Sequence, residues 1–143
     1  MRRNLSLIPR YRAVLSYSGM ILVFFAASQV TPLLALLAWP REYVHSFGFI
    51  LPALITGVIG AFLWRGFRVR KSVMLDIQEG GVIVFISWII VSLVSSWPYI
   101  SLMGFNFTQG VFESVSGWSG TGLTVMDVTK APHVVLLWRS ITQ

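Results

Sequence analysis

Three long apolar runs separated by short polar stretches set the plan of this chain. Val14 to Trp39 is uncharged over 26 residues, Val44 to Trp64 over 21 with His45 neutral, and Gly81 to Met103 over 23. At about 1.5 Å per helical residue, each run is long enough to cross a hydrocarbon core of about 30 Å. A fourth run, Ala131 to Trp138, meets Arg139 before it can span and reads as the start of a further helix. Pro32 and Pro52 fall inside runs and predict kinks. Ala53, Gly57 and Ala61 recur every fourth position, as do Ser92 and Ser96, which predicts faces where helices approach closely. Trp39, Tyr43, Trp64, Trp97 and Tyr99 lie near run ends, where interfacial aromatics are expected.

Composition sharpens this picture. The chain is 55% hydrophobic and only 11% charged, against about 25% charged residues in an ordinary soluble domain. That excludes a soluble globule and a disordered chain and points to an integral membrane protein with the lipid bilayer as its surroundings. The net charge of +6 does not imply nucleic acid, because the basic residues sit beside apolar runs, where they act as topology signals. Arg2, Arg3, Arg10 and Arg12 precede the first run, and Arg65, Arg68, Arg70 and Lys71 follow the second. Basic loops stay cytoplasmic, so the N-terminus and the 65–80 loop are expected inside and residues 104–130 outside. The first run also resembles a signal peptide with Ala26-Ala27-Ser28 as a cleavage site, but it stays apolar for eleven residues beyond Ser28, which favours a retained helix. There are no cysteines, so disulfides, thiolate chemistry and cysteine metal sites are excluded.

Residues 104–130 are neither a span nor an ordinary loop. Thr108 reads as an N-cap, and Val111, Phe112, Val115 and Trp118 then follow at helical spacing, giving a short helix over 109–118. Ten residues reach only about 15 Å, enough to enter a membrane and not to cross it. The next run, Ser119-Gly120-Thr121-Gly122-Leu123-Thr124, is rich in glycine and hydroxyls and suits extended backbone with exposed carbonyls. Irregular backbone at membrane depth must be buried in protein or line water. A half-helix followed by such a strand therefore reads as a re-entrant pore loop, with the helix C-terminus favouring a cation and the carbonyls replacing its hydration shell. An exposed loop rich in turn residues is the competing reading of the same run.

The sequence FESVSGWSGTGLTVMD followed by APHVVLLWRSITQ resembles the first pore loop and following helix of the Trk/Ktr/HKT superfamily of potassium transporters, with the Trk-type bacterial membrane subunit the nearest likeness. The likeness extends to Glu79-Gly80, Trp88 and Trp97-Pro98, and is loose over 1–78. It implies an all-α integral membrane fold: three transmembrane helices, one re-entrant pore helix with a filter strand, and the start of a further helix. Residues 1–78 would be an N-terminal helix pair with basic cytoplasmic ends. Residues 79–143 would be a first pore repeat, with outer helix 81–103, pore helix 109–118, filter 119–123 and a truncated inner helix from 131. The family's filter maps onto Ser119, Gly120, Thr121, Gly122 and Leu123, with Gly122 at the filter glycine and Ser119 and Gly120 departing from a more Thr-rich run. The resemblance further implies potassium as the transported ion, no cofactor, and four pore repeats per subunit. It also implies a homodimer of full-length subunits with a cytoplasmic nucleotide-binding regulatory partner, in the inner membrane.

Among the remaining polar residues, Glu113 is expected to bond backbone behind the filter or to add negative potential at a pore mouth, and Asp127 to attract cations there or to be a solvated loop carboxylate. Arg139 is expected to pair with a carboxylate or to snorkel. His45 and His133 lack neighbouring ligands in sequence, and Asn106-Phe107-Thr108 reads as a cap although it matches a glycosylation sequon. No nucleophile–base set or phosphate loop appears, so no enzyme is expected. A filter needs carbonyls from about four directions, and one pore loop supplies one. The chain is therefore expected to be the N-terminal fragment of a longer subunit and not to conduct alone. A small homotetrameric cation channel and a non-transporting membrane scaffold are the alternatives.

Overall fold

The computed structural model describes residues 7–68 and 76–143, and among them regular structure is entirely helical. Arg2, Arg3, Arg70 and Lys71, half of the basic residues used to orient the chain, lie outside the described residues. Helix α1 covers Leu7–Val30 and continues into a 3-10 turn at Thr31–Leu37. A second 3-10 turn, Pro40–Ser46, leads into α2 at Phe47–Gly66. Next come α3 at Ile77–Ser95, α4 at Trp97–Met103, α5 at Phe107–Trp118 and α6 at His133–Thr142. Three stretches, Pro9–Leu37, Pro40–Gly66 and Ile77–Met103, are long and apolar enough to cross a membrane.

Helix boundaries run beyond the uncharged runs because charge does not stop a helix. Helix α1 takes in Arg10 and Arg12, and α3 starts at Ile77 instead of residue 81. Asp76 and Glu79 form a reciprocal capping box at that start, which satisfies N–H groups that a helix terminus otherwise leaves open. Glu79 also pairs with Arg10 at 3.3 Å, joining the start of α1 to the start of α3. Pro32 sits in the first turn of a 3-10 segment, where its missing N–H costs nothing, whereas Pro52 lies inside α2.

Helices α1 and α2 lie antiparallel, and their closest approach is at a pair the spacing did not pick out. A Cβ on Gly60 would lie 2.9 Å from both the Gly19 carbonyl and the Val23 amide. Backbone meets backbone there, as small residues permit in membrane helices. Of the three residues expected on this face, Ala53 is buried, Gly57 faces Ala26, and Ala61 is half-buried. Ser16 adds a hydrogen bond from its hydroxyl to the Trp64 carbonyl at 3.2 Å.

The core lies where α6 meets α1, α2 and α4. Trp138, Tyr99, Phe49, Val134 and Val135 are fully buried, and Phe25 packs on both Trp118 and Trp138 with ring centroids 5.9 and 6.3 Å apart. Tyr99 is therefore a core residue and not an interfacial aromatic, because α4 turns it inward after the break at Ser96. Trp39, Tyr43 and Trp97 remain substantially exposed.

Candidate functional site

The site is built on α5, which begins at Phe107, two residues before the expected start at 109. Asn106, not Thr108, is the N-cap: its Oδ1 accepts from the Gln109 N–H at 2.9 Å, and Gln109 Oε1 accepts from the Asn106 N–H at 3.1 Å. Both residue types cap well, and the reciprocal partner at Gln109 decides between them. One face of α5 is buried through Gly110, Glu113, Ser114 and Gly117. The Ser114 hydroxyl donates to the Ser92 carbonyl at 2.6 Å, and Trp118 Nε1 to Ser95 Oγ at 2.8 Å. These bonds fix α5 against α3. The opposite face, with Val111, Phe112 and Val115, joins Ser119, Thr121 and Leu123 around an apolar groove of about 380 Å³.

The helix stops at a glycine in the left-handed region. Gly120 has φ +68°, its N–H donates to the Gly117 carbonyl at 2.9 Å, and the Thr121 N–H donates to the Ser116 carbonyl at 3.1 Å. That is the double closure of a Schellman motif. The Ser119 and Gly122 N–H groups also turn back, to Val115 at 2.9 Å and Ser116 at 3.3 Å. Four successive N–H groups thus point toward α5. Among the described residues, no donor reaches the carbonyls of Ser119, Gly120 or Thr121. Residues 121–125 run on without regular structure.

The later part of the run is held from behind. Glu113 is fully buried, and its Oε1 accepts from Thr124 Oγ1 at 2.7 Å, the Val125 N–H at 2.6 Å and the Met126 N–H at 3.1 Å. Its Oε2 pairs with Arg139 Nη1 from α6. Arg139 Nη2 in turn donates to the carbonyls of Gly122 and Leu123, both at 3.1 Å, and Ser116 Oγ donates to Leu123 at 2.6 Å. Glu113 thus bonds backbone behind the loop, and the Arg139 charge beside it offsets its reach toward any opening. Asp127 is a solvent-facing carboxylate: hydrogen bonds from the Thr129 hydroxyl and N–H, with Lys130 at 3.3 Å, hold its carboxyl below the usual range.

A contact that sequence spacing does not show orients α6. Glu42, 91 residues before His133, accepts from the N–H groups of His133 and Val134, both at 3.0 Å, and from His133 Nδ1 at 2.6 Å. The carboxylate sits on the positive end of α6, whose preceding residue is Pro132 and offers no side-chain cap. Trp39 stacks on the His133 ring with centroids 4.2 Å apart. Glu42→Ala is expected to lower stability by about 1 kcal/mol and to speed amide exchange at Val134 selectively, measured by hydrogen exchange. Unchanged exchange there would remove Glu42 from this role.

No protein-family model matches the chain. The Trk system potassium uptake protein TrkG of Escherichia coli (strain K12) is 29% identical over 133 residues, covering 90% of this chain and 27% of that protein. TrkH of the same organism is 29% identical over 140 residues, covering 93% and 28%. An uncharacterized cation transporter of Methanocaldococcus jannaschii is 31% identical over 97 residues, covering 66% and 20%. The chain spans less than a third of the length of these curated relatives. They are named for transport and uptake, not for catalysis, and with the three apolar helices they mark this chain as a membrane protein.

Proposed function

We propose that this chain, a member of the Trk-type family by its sequence, is the N-terminal portion of a potassium-uptake subunit and supplies one pore loop to its ion path. In this reading α5 is a re-entrant pore helix, entering and leaving on the outer side, and Ser119–Leu123 is the filter segment. The observation that carries it is the backbone after α5: N–H groups turn onto the helix while the Ser119, Gly120 and Thr121 carbonyls remain free to ligate. Filter carbonyls replace a cation's hydration shell, and the N–H bonds from residues 119–122 back to Val115, Ser116 and Gly117 hold the backbone that carries these three. The Ser119 and Thr121 hydroxyls, 2.7 Å apart, bond to each other across Gly120 and stiffen that turn.

The remaining carbonyls of a ring come from further pore repeats of the same subunit, and the apolar groove along Val111, Phe112 and Val115 is the face assigned to them. The bilayer surrounds the spans, with the N-terminus on the cytoplasmic side of the inner membrane, an orientation that the basic ends support. A homodimer of full-length subunits and a cytoplasmic nucleotide-binding regulatory subunit complete the proposed assembly. Movement of the ion involves no covalent step.

Gly122→Ser in the complete subunit tests the filter assignment. Gly122 has φ +73°, and a Cβ there would lie 2.7 Å from Gln143 Nε2. A left-handed residue with a side chain costs about 1–2 kcal/mol, so the backbone at 122 is expected to shift and potassium-over-sodium preference to fall. The readout is ion uptake in vesicles. Unchanged potassium and sodium permeation would contradict the assignment.

A further inference from the structure

We infer that Arg139 and Glu113 form a charge-compensated positioning pair that confines the cation to the Ser119–Thr121 carbonyls, an inference that rests on the pore-loop reading above. The guanidinium donates to the Gly122 and Leu123 carbonyls, both at 3.1 Å, so two of the five candidate ligand oxygens already face a positive charge. A cation bound at those two oxygens would sit close to that charge and be repelled. The three oxygens before them have no such neighbour among the described residues. Glu113, fully buried and paired with Arg139, supplies the compensating negative charge.

The two partners therefore have distinct roles. Arg139 sets the position of Gly122 and Leu123 through Nη2 while Nη1 holds Glu113, a planar two-nitrogen arrangement that a lysine's single ammonium does not reproduce. Glu113 fixes Val125 and Met126 and cancels the field of Arg139 at the cation site. Removing the Glu113 charge alone leaves a positive charge beside the filter. Removing both charges leaves the site neutral but looser.

The test compares Glu113→Gln, Arg139→Lys and the double variant Glu113→Gln/Arg139→Gln in the complete subunit, reconstituted in vesicles at matched protein amounts. Potassium uptake and sodium competition are both measured. Glu113→Gln is expected to lower potassium uptake at least tenfold, and the double variant to recover several-fold of that loss while discriminating poorly against sodium. Arg139→Lys keeps the charge and is expected to retain uptake but lose most of the preference for potassium. Equal uptake by Glu113→Gln and the double variant would overturn charge compensation, and wild-type preference in Arg139→Lys would overturn positioning. Gly122→Ser, measured alongside, separates the two levels. If it shifts selectivity while the pair variants do not, only the pair fails. If it is silent, the pore-loop reading itself fails.

Discussion

Glu113→Ala is expected to be the most damaging single substitution in the chain, costing about 3–5 kcal/mol, the usual penalty for stranding one member of a buried ion pair. The Arg139 side chain is 10% exposed and would keep its charge with no carboxylate to meet it. Three further donors, Thr124 Oγ1, the Val125 N–H and the Met126 N–H, lose their common acceptor, and only the Met126 N–H keeps a second one, Thr124 Oγ1 at 2.9 Å. Residues 121–126 have no regular structure to fall back on, so the segment is expected to lose its fixed path. Thermal unfolding in mild detergent measures the loss, and proteolysis within 119–126 locates it. A variant as stable as wild type, with the segment still protected, would show that Glu113 does not hold the loop.

Gly60→Leu is expected to have the second largest effect. Its neighbours across the interface are the Gly19 carbonyl and the Val23 amide, so the added side chain meets backbone and not a side chain that can swing aside. Overpacking costs about 1–3 kcal/mol when neighbours can adjust, and here the helices themselves must separate, which places the expected loss at about 3 kcal/mol or above. Gly57→Ala is the matched control, since its Cβ would meet only the Ala26 methyl at 3.4 Å. The thermal midpoint in detergent is expected to drop for the first variant and hold for the second. Equal midpoints would place the α1–α2 contact elsewhere.

What the sequence made legible follows from the range over which each feature acts. The three spans come from long runs of one kind of residue, and the short helix after Asn106 comes from apolar spacing over a few turns, so both are local. Helix starts are harder to place: Ile77 and Phe107 open their helices because Asp76 with Glu79 and Asn106 with Gln109 cap reciprocally. A count of uncharged residues cannot see that. Gly60 escaped notice because its partner, Gly19, belongs to another helix. The same holds for Glu42 on α6 and for Arg139 on Glu113, contacts separated by 91 and 26 residues. A buried carboxylate can be suspected from its place in an apolar segment, but only the packing of α6 beneath the loop names its partner. Gly120 stood out as a glycine in a glycine-rich run, yet its work in the fold is to end α5 through a double hydrogen-bond closure, which composition alone does not distinguish from extended strand.

In the proposed pore loop, the backbone after α5 binds a potassium-like cation. Anomalous X-ray scattering from crystals of the complete subunit grown in rubidium tests it most directly. Density is expected within direct coordination distance of the Ser119, Gly120 and Thr121 carbonyls and absent beside Gly122 and Leu123, where Arg139 stands. Rubidium bound elsewhere in a transport-competent subunit, with nothing at the Ser119–Thr121 oxygens, would contradict the claim.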